Sequence, residues 1–469
     1  MNADHPLHPS VLSILLLTLA FFGGVPQAIA QSLQDFPTVE VPKHPPPPGM
    51  RGSANMRVLS TFPLGDPESV SDIEVEQDVD RPYVYVARRN STKGFDVIDI
   101  SDPENAFLLT QWRIEDEDLH QGGAMDGRYF QHEGRTYYVQ SVQFRQGGPN
   151  ADVGAIVFDV TDIGETGVVE EVGRIRQPNS PGGFHNIFMY RHSNGKPLLF
   201  ATSGSYAKVF DMALFLEGAQ TEVAVRLDDA DRALVGRVPL AETPNAWSSG
   251  YHDFYVAYHP ESGEDRFYGG GGSGYYVFDV TDLANPAVRA TILDVPGVSW
   301  GHTFTPSPDG RYAVAESEFQ YQPLRIFDLQ PALDGEVDNI DYPVGAWHAD
   351  WETVAHNHEV RWPFLFVSGY ETGLSVVSLE DPTAPRTIAY YDTYDGPHND
   401  RAARREGSPY TWGVYNGAWG VDVRNADGLI VVSDMTTGFW ALKLEGFDGW
   451  NGEDYGVPNI SSAQPWGDR

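Results

Sequence analysis

Residues 274–293 read GYYVFDVTDLANPAVRATIL. After a glycine, Tyr, Val and Phe form an apolar strand. Asp-Leu-Ala-Asn-Pro then turns the chain, and Val, Ala, Thr and Ile open a second strand. The phrase returns along the chain as GFDVIDISDPENAFLLTQW (94–112), AIVFDVTD (155–162), AKVFDMA (207–213), LRIFDLQPA (324–332), GLSVVSLEDPTAPRTIAYYDTY (373–394) and GFWALKLEG (438–446). Seven copies set roughly 50 to 70 residues apart sit within or just above the spacing of propeller blades. An apolar strand precedes each copy, as in YVYVARR, YAVAESE and LIVVSD, and a further strand precedes that. Four short strands with turn signals between them make a blade, and one blade cannot bury both of its faces. The expected fold is therefore all-β: a seven-bladed β-propeller of four-stranded antiparallel blades, over 53–447, with a C-terminal tail at 448–469. The last unit ends at FWALKL without a good fourth strand, and MRVLSTFPLGDPESV (56–70) reads like the outer strand of a blade. The N-terminal strand is expected to complete the last blade, which hides the open edges of the ring.

The chain has 469 residues, 41% hydrophobic and 12% aromatic, enough for a sizeable core. Residues 1–30, with VLSILLLTLAFF followed by AIA ahead of Gln31, read as a signal peptide. The mature protein is then exported, to the periplasm or the extracellular space. Residues 31–52, with VPKHPPPPGM, read as an extended and mobile proline-rich linker. No other segment reads as a membrane span, and a soluble monomer is expected. There are no cysteines, which excludes disulfides, thiolate metal sites, a cysteine nucleophile and a lipid anchor on cysteine. The net charge of −35 argues against a nucleic-acid partner. Its plainer consequence is a self-repelling surface that stays soluble in salt.

A second phrase recurs ahead of the apolar strands: DLHQGGAMD, GGFHNIFMY, GYHDFYVAY, WGHTFTPS and VAHNHEVRW. It places His120, His185, His252, His302 and His356 before the polar residues Gln121, Asn186, Asp253, Thr303 and Asn357. In a propeller the innermost strand lines the central channel and starts near one mouth. The five histidines are expected as a partial ring there, with Ser71 and Asp72 as the blade-1 equivalents and Ala418 or Trp419 in blade 7. Two chemistries fit. The imidazoles can fasten neighbouring blades by bonding their backbone. Alternatively, three or four neutral imidazoles converging on one point suit Zn²⁺ or copper, with Asp253 as ligand or as orienter behind one, and can exchange protons near neutral pH. Convergence of at least three on one point favours the second reading; rings turned into the seams between blades favour the first. His358 shares a strand face with His356 and could chelate or lie deeper in the channel. GGGGSG (269–274) follows a strand with no helix after it, so it reads as a blade turn rather than a phosphate cradle. No G-x-S-x-G or H-E-x-x-H is present, so no catalytic residues are assigned from motifs.

With VIDISDP, SGYETGLSVVSLEDP, YYDTY and YNGAWGVDV…GLIVVSDMTTGFWAL in view, residues 54–446 resemble the LVIVD-repeat β-propellers, and in particular the exported choice-of-anchor B proteins. The resemblance implies an extracytoplasmic binding or scaffold protein that meets a protein or small-molecule partner through its channel-mouth face. Members generally have no assigned reaction, so a metal-dependent enzyme of oxidase or lyase type using the channel histidines stands as the alternative. Two features depart from the family pattern: SSAQPWGDR does not read as a C-terminal anchoring segment, and the blade-2 opening HQGGAMDG is irregular.

Overall fold

The structure, a computed structural model, describes residues 33–466 except 91, 145–149, 178–181, 220–231, 241–249 and 399–413. The expected signal peptide lies outside the described residues. Seven four-stranded antiparallel sheets stand in a ring. Their innermost strands are Val70–Val75, Gly122–His132, Ile187–Arg191, Tyr251–His259, Phe304–Pro306, Asn357–Arg361 and Ala418–Val423, in blades 1 to 7. Blade 7 takes its outer strand from the start of the chain, where Met56 pairs with Leu444 and Phe62 with Phe439.

The repeated V-x-D phrase has a local cause. The Asp99, Asp159 and Asp279 carboxylates end their strands by accepting from the amide two residues on, at 2.8–3.0 Å. Asp102, Asp282 and Asp381 repeat the device in the following turn, at 2.9–3.1 Å. An Asx turn of this kind reverses the chain without help from tertiary contacts. Between strands three and four of several blades the register slips, as at Val97/Ile98, Val277/Phe278 and Val376/Val377. Such bulges add the twist a blade needs. Adjacent blades then seal by aromatic packing; Tyr85 of blade 1 stacks on Tyr138 of blade 2 at 4.2 Å.

Both ends of the chain strap the ring. The proline-rich segment expected as a mobile linker is docked from Leu33 on. Leu33 and Phe36 are buried against the blade-6/blade-7 core. His44 Nδ1 meets Asp392 Oδ2 at 2.7 Å and its Nε2 meets the Gly396 carbonyl at 2.8 Å. Arg51 donates to the carbonyls of Asp392, Thr393 and Tyr394. Two apolar side chains, and a histidine and an arginine that find carbonyls, are what proline content alone does not reveal. At the other end, Trp450 donates to the Trp362 carbonyl in blade 6, and Ser462 Oγ bonds Glu359 and Arg361 there. The tail then reaches Trp466, packed by Phe130 of blade 2, with Arg191 of blade 3 donating to its carbonyl. The tail therefore crosses the channel.

Candidate metal centre

The polar followers of the histidines form a belt inside the channel. Thr303 Oγ1 donates to Asp253 Oδ2 and contacts Asn357 Oδ1, and Asn357 reaches Asp72, at 3.1–3.5 Å. Arg128 sits beneath, 2.6 Å from Glu74, 3.6 Å from Asp126 and 3.9 Å from Asp72. Only small voids of about 30 and 10 Å³ remain in this layer, and Ser462 of the tail lines both. Above the belt the channel widens into a cavity of about 890 Å³.

Four of the five predicted histidines line that cavity. Ring centroids run from His185 to His252 at 4.3 Å, from His252 to His302 at 4.1 Å and from His302 to His356 at 5.0 Å; Trp419 of blade 7 follows at 4.3 Å. His120 does not join them. It stacks on Phe144 at 4.3 Å, and neither ring nitrogen has a hydrogen-bond partner among the described residues. The blade-2 register slips between Ala124 and Gly127, and Met125 takes the place at the cavity wall. Ser71 spends its hydroxyl on the Ala124 carbonyl at 2.8 Å. Asp253, expected as ligand or orienter, belongs to the belt below and acts on His302 through its charge. His358 likewise lies in the lower layer, where burial pulls it down to about 3.

The glycine run seats one of these histidines. Gly269–Gly271 belong to strand Glu264–Gly271 rather than to a turn. A Cβ on Gly270 would stand 1.7 Å from the His302 carbonyl, and Gly271 accepts from Gly301 at 2.7 Å. Only backbone without side chains lets blade 5 begin this close to blade 4.

The carboxylates that matter here came from outside the predicted set. His302 Nδ1 lies 2.7 Å from Glu316 Oε2, and its Nε2 is 3.4 Å from Glu318 Oε2. Burial would lower the His302 pKa, but Glu316 and Glu318 outweigh it and raise it to about 9. Burial pushes Glu316 up to about 7. Glu318 Oε1 accepts from Tyr370 Oη at 2.7 Å and stands 3.8 Å from His356 Nε2. Ligand atoms of His252, His302 and Glu318 all lie within 4.8 Å of one another. His302 Nε2 and His252 Nδ1 are buried without a hydrogen-bond partner among the described residues.

Hydrogen bonds fix two ring tautomers. His356 Nδ1 donates to the Trp419 carbonyl at 2.7 Å, which leaves Nε2 with its lone pair. His185 Nδ1 contacts Gln143 Oε1 at 3.2 Å, to the same effect. Burial and the neighbouring imidazoles hold His252 well below the ordinary histidine value; burial and His302 do the same for His356. Both residues that pair at the carboxylate carry left-handed backbone, Glu318 at φ 45° and Tyr370 at φ 46°. Side chains other than glycine adopt this at a cost, and such strain gathers at functional sites. Tyr370 is pinned there by paired backbone bonds with Ala418 at 2.9 and 3.0 Å.

Sequence reasoning missed Glu316, Glu318 and Tyr370, yet a signal existed. The turn joining the second and third strands of a blade opens on the same face as the start of the first strand. Arg89, Glu318, Tyr370 and Met435 all come from or beside such turns, in blades 1, 5, 6 and 7, and all line the cavity.

Among solved structures, the WD40 β-propeller domain of Doa1 matches with a TM-score of 0.50 and 11% sequence identity, covering 84% of this chain and 99% of that one. The likeness shows the fold alone. No protein-family model matches the chain, and no curated protein matches it in sequence. Among the described residues no helix is long and apolar enough to cross a membrane.

Proposed function

We propose that this chain is an exported LVIVD-type propeller whose channel-mouth cavity holds a divalent transition metal and uses it on a small molecule. The carrying observation is the convergence of His252, His302 and Glu318 within 4.8 Å. Two imidazoles and a carboxylate, with further positions open, are a donor set for Zn²⁺, for Fe²⁺ and, with His356 added, for Cu²⁺. Glu316 behind His302 is the carboxylate partner that commonly orients a ligating imidazole. A bound metal would polarise a substrate oxygen as a Lewis acid. The chain's own residues supply the rest. His356 presents an unprotonated Nε2 able to accept a proton. Tyr370 holds one oxygen of Glu318, and the other faces His302. The closed lower channel confines exchange with solvent to the histidine mouth.

The test is the metal content of the chain from Gln31 onward, purified without a histidine tag, beside a His252→Ala/Glu318→Gln variant. Close to one equivalent of metal, lost in the variant, supports the proposal. A wild type that stays metal-free after incubation with Zn²⁺, Cu²⁺ and Fe²⁺ would overturn it and return the cavity to a binding or scaffold role.

A further inference from the structure

The cavity has two unlike sides. Blades 3 to 5 contribute His185, His252, His302 and Glu318. Trp300 and Phe319 also stand on that side; across the ring, apart from His356, blades 6, 7 and 2 contribute Tyr370, Trp419, Met435 and Met125, with Tyr415 beside them. These residues form an apolar cluster of their own, apart from the blade cores, together with Val354 and Val414. Its rings meet edge to face, with Tyr370 at 5.7 Å from Tyr415 and 6.1 Å from Trp419. Its members are largely buried against one another and against His356, and present only their edges to the cavity. It lines open space of about 890 Å³, within the range that takes a drug-sized ligand.

An aromatic and thioether wall can receive either an organic cation or a planar ring. Glu68 and Glu318 line the cavity along with Arg89, so the proposed metal decides between cation and ring. Arg89 lies 4.7 Å over the Trp419 ring, so the aromatic side already carries a cation. The metal proposed on the facing side would add a second positive centre. That metal repels a cationic ligand and favours an electron-rich ring bearing an oxygen that can ligate it.

Resting on the metal reading above, we infer that the cavity binds phenols, the ring against Trp419, Tyr370 and the methionines and the oxygen toward His252, His302 and Glu318. Sulfur and aromatic contacts adapt to rings of differing substitution, so the class is broader than one compound.

The experiment titrates the zinc-loaded full chain by calorimetry with catechol, trans-cyclohexane-1,2-diol and choline. Catechol should bind at least tenfold more tightly than the diol on the zinc-loaded chain and, because its more acidic oxygens favour zinc by themselves, on the zinc-free chain as well, where the ring is the main difference. Trp419→Ala should weaken catechol at least fivefold while zinc affinity is unchanged, and Trp419→Phe should recover most of the loss. Equal binding of the diol, tighter binding of choline, or indifference to Trp419→Ala with zinc in place overturns the inference and leaves the metal site standing. If zinc does not bind, the metal reading falls. Catechol against diol on the metal-free chain then decides the aromatic wall by the same tenfold criterion.

Discussion

The two ends of the channel are built from the same seven inner strands, yet they treat polar groups in opposite ways. At the lower end the charged groups close on one another in ion pairs, although Asp126 Oδ1, Arg128 Nε and both His358 nitrogens lack hydrogen-bond partners among the described residues. Arg361, fully buried, bonds Glu359, the Val423 carbonyl and Ser462 of the tail, and Arg128 faces three carboxylates. At the upper end, imidazole nitrogens of His252 and His302 are buried without partners among the described residues, beside open space. Buried polar groups are normally satisfied, and the exceptions in His252 and His302 border a cavity of about 890 Å³ with room for a ligand, whereas those of the lower layer border voids of about 30 and 10 Å³. The lower end spends its polarity on holding the ring shut; the upper end keeps its own in reserve. The fastening and the metal readings of the histidine phrase are thus both partly right. Nδ1 of His356 fastens blade 6 to blade 7, and Nε2 of the same ring is left for the cavity.

The sharpest way to break this contrast is Arg128→Ala. Removing the guanidinium leaves Asp72, Glu74 and Asp126 buried together, and a loss of about 3–5 kcal/mol is expected in chemical denaturation. A loss below about 1 kcal/mol would mean the lower network is not what holds the ring. Next is His252→Ala, expected to lower metal affinity on the order of 100-fold while moving stability by less than about 1 kcal/mol. His120→Ala in parallel should leave affinity within about twofold, because its ring lies against Phe144. Trp466→Ala should cost about 2 kcal/mol by exposing apolar surface beside Phe130, with metal binding unchanged. If metal binding falls as well, the two ends are coupled through the belt.

The smallest effect concerns the N-terminal strap. Burial lowers the His44 pKa, but the bonds to Asp392 and Gly396 and the charge of Glu371 outweigh it, so the folded value is raised; the His398 ring stands 6.2 Å away. A raised histidine contributes docking that is fully present below its unfolded value near 6.5 and is lost as pH rises through the folded one. Proteolysis between His44 and Ser53 should therefore quicken a few-fold from pH 6 to pH 9, and His44→Gln should flatten that rise.

The fold was legible because its grammar is local. Asp99, Asp159, Asp211, Asp279 and Asp328 each end a strand by accepting from the amide two residues on, and these five phrases with their echoes in blades 6 and 7 count seven blades. The closing strand was legible by what the last unit lacked. Four histidines were legible because a strand start in a propeller has one address. His120 was misplaced because a register slip downstream of it cannot be seen in the letters, and Asp253 because adjacent residues of one strand serve different layers. Glu318 and Tyr370 stayed hidden because their positive φ comes from cross-blade contacts. In sequence they look like ordinary turn residues next to better turn formers.

The pairing of Met56 with Leu444 has a consequence in time. A ribosome delivers the first strand of this ring first and its match nearly four hundred residues later. Until then blade 7 has one of its four strands, and that first strand waits with an open edge. Contacts of such sequence separation form slowly. The ring cannot latch until the last blade has been made, and a cell that makes this protein must shelter its first strand until the last one arrives.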